Sequence, residues 1–168
     1  MSRLIPRLFV ALFAAIIAVT SIPSGGANAA EIEKRGEAFV VYLPGDLDYF
    51  EVFHRLQSEI LAANWEITNI QNIDTGMAQY GLKIKNKVIS ACKSQLLAKA
   101  IQEDPFISLA VPCRFTIFTD SASGKIVVGF ADPVAEAKAL GVKNYAAAGQ
   151  ATEELKAVLK TMLDFYGK

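Results

Sequence analysis

The sequence predicts an α+β domain: a five-stranded mixed or antiparallel sheet with helices packed on one face and a further helix at the C-terminus. Three observations predict it. Period-two apolar segments recur through the chain, amphipathic helical segments separate them, and one short loop joins two strands as a hairpin, which forces an antiparallel pair.

The first 29 residues stand apart from that pattern. Arg3 and Arg7 precede an unbroken apolar run, Leu8 to Val19, of 12 residues. Pro23-Ser24-Gly25-Gly26 then breaks any helix, and Ala27-Asn28-Ala29 supplies the small residues of a signal-peptidase site. Residues 1–29 therefore read as a cleavable secretory signal. The run is shorter than the roughly 20 residues of a membrane span, so no stable membrane anchor is expected after cleavage. The product, residues 30–168, suits a single domain that is exported to the periplasm or the exterior. Taking Arg3 and Arg7 from 17 basic and 17 acidic residues leaves a net charge of −2. With no basic stripe, nucleic acid is a poor partner, and net charge argues the same for an anionic membrane surface.

Residues 37–43 carry the β-formers Phe39, Val40, Val41 and Tyr42, stopped by Pro44-Gly45. Asp46 is placed to cap a helix, with Asp48 in its first turn. Tyr49, Phe53, Leu56 and Ile60 then line one helical face, and Asn64 suits a left-handed stop. Trp65 to Asp74 reads as a second strand; Ile70 and Ile73 fall out of phase with Trp65 and Ile67, which a bulge or an early strand end explains. Residues 75–82 admit one helical turn. Lys85 to Ala91 forms a third strand, and Ser94 to Glu103 a helix ended by Asp104-Pro105.

Cys113, Phe115 and Ile117 alternate with Arg114 and Thr116 in a strand ending at Thr119, and Ile126, Val128 and Phe130 alternate with Lys125, Val127 and Gly129 in the next, with Asp120 to Gly124 as the hairpin loop. Pro133 opens a short helix to Leu140, closed by Gly141. The last helix, 146–166, carries the stripe Ala151, Leu155, Val158, Leu159, Met162 and Phe165, best read as packing on the sheet.

Asp104-Pro105, Leu109-Ala110-Val111-Pro112-Cys113-Arg114, Gly124-Lys125-Ile126-Val127-Val128 and Asp132-Pro133 together resemble the family called domain of unknown function 302. Trp65 opening a strand after an amphipathic helix is similar too, with Asn64 where the family usually has Gly. The likeness spans about residues 42–140 and leaves out the last helix. It implies a compact α+β domain that often self-associates, hence a homodimer, and implies no activity.

Few residues offer chemistry. Cys92 and Cys113 are the two cysteines. In an oxidising compartment they admit a disulfide closing a loop of about 20 residues, worth ~3 kcal/mol on the chain-entropy view. They also read as two separate buried thiols, or as the centre of redox, haem or metal chemistry, although no Cys-x-x-Cys is present. His54, the single histidine, sits beside an apolar helix face and cannot alone build a metal site. No G-x-S-x-G surrounds a serine, and the carboxylate pairs Asp46/Asp48 and Glu153/Glu154 are explained by capping and solvation. Arg114, set in an apolar strand, offers a planar fork for a carboxylate or phosphate; otherwise it simply points outward.

The leading expectation is a non-enzymatic binding module, for a small anionic ligand or a partner, with any cofactor left open. The alternatives are a redox or haem/metal protein using Cys92 and Cys113, and a subunit of an envelope complex docked through its last helix.

Overall fold

The computed structural model describes residues 31–167. The export segment predicted over residues 1–29 lies outside them. The strands are β1 (Glu33–Arg35), β2 (Ala38–Leu43), β3 (Glu66–Asn72), β4 (Asn86–Cys92), β5 (Cys113–Thr119) and β6 (Ile126–Ala131). The helices are α1 (Tyr49–Ala62), α2 (Ile73–Ala78), α3 (Ser94–Glu103), α4 (Pro133–Ala139) and α5 (Ala146–Tyr166), with a 3-10 helix at Pro105–Ala110.

All strands join one sheet in the order β1-β2-β6-β5-β4-β3, and every pairing is antiparallel. The five expected strands are present. The sixth, β1, corrects the expectation of five: its three residues, Glu-Lys-Arg, are all exposed. An edge strand so short and charged has no buried face to impose a period on the sequence.

Register sorts the side chains. Val41 pairs with Val128, Ile117 with Val128, and Ile89 with Phe115, so these residues share one face. They merge with Tyr49, Phe53, Leu56 and Ile60 of α1 and with Leu155, Val158, Leu159 and Met162 of α5 in one buried cluster. β3 carries its expected irregularity, a register shift between Ile67 and Asn69.

Local signals fix the helix ends. Asn64 takes φ 60° after α1, the left-handed stop. The N-cap is Asp48, whose Oδ1 accepts from the Glu51 amide at 2.8 Å; Asp46, the expected cap, lies two residues early. Asp132 caps α4 by accepting from the Val134 amide, and the Thr152 hydroxyl of α5 donates to the same carboxylate oxygen at 2.7 Å. This buried bond ties α5 to the start of α4. Gly129 matters for the sheet, because a Cβ there would meet the Phe39 carbonyl of β2 at 2.7 Å.

The α5 stripe is core from Ala151 to Met162, whereas Phe165, its last member, is 53% exposed. Leu159 is fully buried and Lys160 beside it is exposed. Leu159→Ala is expected to cost about 2–5 kcal/mol, read as a lower urea midpoint, whereas Lys160→Ala changes stability by less than about 0.5 kcal/mol.

Candidate functional site

The two halves of α5 present different side chains to the domain. The C-terminal half offers Leu155, Leu159 and Met162, which fill the space above the sheet. The N-terminal half offers Ala147, Ala148 and Ala151, which do not. A cleft opens there, walled by α3 (Leu96, Leu97, Ala100), by the 3-10 helix (Ile107, Ala110) and by Pro133 and Glu136 of α4. Trp65 and the ends of β4 and β5 close its floor. Its interior volume is about 50 Å³, against the roughly 10–15 Å³ that one water needs on the same measure.

The structure brings both cysteines to this cleft, where they border it from adjacent strands. Both are free, so the bridge considered from the sequence is not formed. The register gives the reason. Cys113 faces Ala91, and Cys92, one residue on, faces Glu66 of β3. Successive strand residues point to opposite faces, so the two Cβ atoms are not aimed at the ~3.8 Å separation of a disulfide. Burial, reinforced by the Glu136 carboxylate, pushes the Cys113 thiol up to about 12. Burial and the Glu66 carboxylate also raise Cys92. At neutral pH both are therefore thiols, the weaker form as nucleophile and as metal ligand. Among the described residues no group of three or more His, Cys, Asp or Glu is placed to hold a metal ion. His54 stands apart on α1, exposed, with Nδ1 3.1 Å from Gln57 Oε1.

Arg114 points outward and half-exposed, and its Nη2 donates to Glu136 Oε1 at 3.1 Å. This single contact leaves most of the guanidinium fork facing water. Glu136 is the link between Arg114 and the cleft. Burial raises its carboxyl above the usual glutamate range, and Arg114 opposes the rise without cancelling it.

Sequence reasoning missed a second polar group at the cleft. Lys93 Nζ bonds Glu154 Oε2 at 2.7 Å, and Trp65 Nε1 donates to the same oxygen at 3.0 Å. Although burial opposes it, the hydrogen bonds from Lys93, Gln150 and Trp65 hold the Glu154 carboxyl below its usual range. This clamp fixes the Trp65 ring, 3% exposed, against the cleft. The legible signal was the run of alanines opening α5, which marks a helix face without bulk.

The sequence profile of the family described as "Domain of unknown function DUF302" matches residues 41–162. The fold is also similar to the crystal structure of an uncharacterized conserved protein DUF302 from Bacillus stearothermophilus. The TM-score is 0.63 at 14% identity, over 77% of this chain and 98% of that one. At that identity the likeness is one of fold. No curated protein matches the chain.

The raised acidity constants set two expected outcomes. Alkylation of Cys113 by iodoacetamide, followed by mass spectrometry in a Cys92→Ala background, should keep accelerating above pH 10, with no plateau near the ordinary thiol value of about 8.5. Glu136, with its folded value raised, contributes stability that is present at low pH and lost as pH rises through that value. Glu136→Gln should therefore flatten the pH dependence of the melting temperature just above the usual glutamate range.

Proposed function

The chain belongs to the DUF302 family, a domain of unknown function, and on that premise we propose that it is an exported, non-enzymatic binding module. It holds a small, mainly apolar ligand in the cleft between α3 and α5. The carrying observation is the cleft itself, where apolar walls from four helical segments converge on an indole and a protonated thiol. Protein interiors close such spaces when nothing is to enter them, and here small side chains keep one open.

The chemistry favours holding over reacting. A thiol raised by burial is a small apolar wall element. The carboxylates of Glu136 and Glu154 are both occupied, by Arg114 and by Lys93 with Trp65. Arg114 does not line the cleft, but its bond to Glu136, which does, sets a cation beside the opening, and we assign an anionic head on the ligand to the free side of its fork. Burying roughly 200 Å² of ligand and wall surface at about 25 cal/mol per Å² yields ~5 kcal/mol, which puts a ligand of this size no tighter than about 0.1–1 mM. The export signal read in residues 1–29 suits this use, since a binding module outside the cytoplasm meets free small molecules directly.

Trp65 is the single tryptophan, so its emission reports cleft occupancy without a label. Titration with straight-chain alcohols and the matching carboxylates should give a saturable change in that emission and a rise in melting temperature. Ala100→Phe, which fills the cleft, should abolish both. Arg114→Ala should weaken the carboxylates and spare the alcohols. No saturable response to any member of either series would defeat the reading.

A further inference from the structure

The turn entering β4 reads Gln79-Tyr80-Gly81-Leu82-Lys83-Ile84-Lys85, and every residue in it is exposed. Tyr80 is 73% exposed, Leu82 50% and Ile84 41%. Phe50 of α1, 52% exposed, follows Tyr49, which lines one groove with Ile84. Its ring is 5.6 Å from that of Tyr49, and Lys85 Nζ lies 5.6 Å from the Tyr49 ring. Four large apolar side chains thus face water on one tip of the domain, away from the cleft.

The charge along the turn itself is one-sided, while exposed Asp46 and Asp48 belong to the loop on the other side of the groove. From Thr75 to Gln102 the sequence contains five lysines and no Asp or Glu. Lys87 is paired with Asp74 and Lys93 with Glu154. Lys83 and Lys85 make no ion pair among the described residues, and both border an open groove of about 350 Å³ under this turn. A net charge of −2 averages over this positive, apolar turn, so the expectation drawn from net charge does not address it.

We propose that Tyr80, Leu82, Ile84 and Phe50, with Lys83 and Lys85, form a peripheral docking surface for an anionic phospholipid bilayer. Apolar and basic side chains alternate one by one along the turn. That spacing lets Leu82 and Ile84 enter the acyl boundary while the lysine stems lie along it and carry their ammonium groups to the phosphates. Charge complementarity selects the occupant: two cations with no ion pair among the described residues fit the anionic headgroups, which attract each lysine near the surface. Among the described residues no helix is long and apolar enough to cross a membrane, so the contact is one of surface insertion. The proposal is independent of the cleft reading.

The test places a reporter at the tip of the full chain. Tyr80→Trp adds an exposed indole, and wild-type Trp65, buried elsewhere, supplies the constant background. With phosphatidylcholine vesicles containing phosphatidylglycerol, the added emission should shift to the blue and be quenched by brominated acyl chains; with phosphatidylcholine alone it should stay water-like. Lys83→Gln with Lys85→Gln should weaken the response about 25-fold, at roughly fivefold per lysine, and Leu82→Ser with Ile84→Ser should remove the blue shift. These exposed changes leave the fold intact, which unchanged Trp65 emission verifies. An indole that stays in water on anionic vesicles overturns the proposal even if the protein sediments with them through its N-terminal segment. A blue shift of equal strength on uncharged vesicles overturns it as well.

Discussion

The burial of α5 against the sheet is the interaction on which the rest of the molecule depends. An antiparallel sheet with one apolar face must cover that face, and α1 alone is too narrow for six strands. α5 lies beside α1 and inserts Leu155, Val158, Leu159 and Met162 into the same cluster as Val41, Ile89, Phe115 and Val128. Its position is then set at the other end by one buried polar contact, the Thr152 hydroxyl on the Asp132 carboxylate. Asp132 is also the cap of α4, so one carboxylate orients two helices.

The same helix makes the cleft. Its side chains shorten from leucine to alanine toward its N-terminus, while the sheet and α3 keep their distance, and space remains between them. Low polarity inside that space then governs its chemistry. A thiolate there would lose hydration and face the Glu136 carboxylate, and the neighbouring Arg114 offsets only part of this, so Cys113 stays protonated. Its carboxylates are held by partners instead of being free to act. These features make the pair of cysteines, which in sequence admit redox or metal chemistry, parts of the cleft wall. The α5 stripe, which in sequence admits a docking role in a larger complex, is taken up by the core from Ala151 to Met162 and leaves only Phe165 exposed.

The fold was legible wherever a period met a breaker. The bounds of Ser94–Glu103 and Ala146–Tyr166 follow from helical spacing, a stop at Asp104-Pro105 and a long apolar stripe. The hairpin of β5 and β6 follows from strict alternation around a glycine-containing loop. Less was legible where one-dimensional signals compete. Asp46 and Asp48 both suit a cap, and only the chain path after Gly45 chooses the second. The 3-10 helix lacks an amphipathic period because it is six residues long, yet it supplies a wall of the cleft. In the site, Cys92, Cys113 and Arg114 stood out by residue type. Trp65, Glu136 and Glu154 did not, because their roles arise from partners 22 to 89 residues away.

The placement of the two candidate surfaces follows from the run of one strand. β4 begins at Asn86, directly after the exposed lysine turn, and ends at Cys92, on the border of the cleft. Seven strand residues at about 3.3 Å each separate them by roughly 20 Å, with the packed core beside the strand for its whole length. A domain resting on a surface through Tyr80, Leu82 and Ile84 would hold the cleft at the far end of β4, clear of that surface and open to solutes. The sheet is rigid over this distance, being paired on both sides of β4. Contact at one end therefore need not distort the other, and the two properties are separable by substitution: changes at Lys83 and Lys85 leave the cleft walls untouched, and filling the cleft at Ala100 leaves the turn exposed.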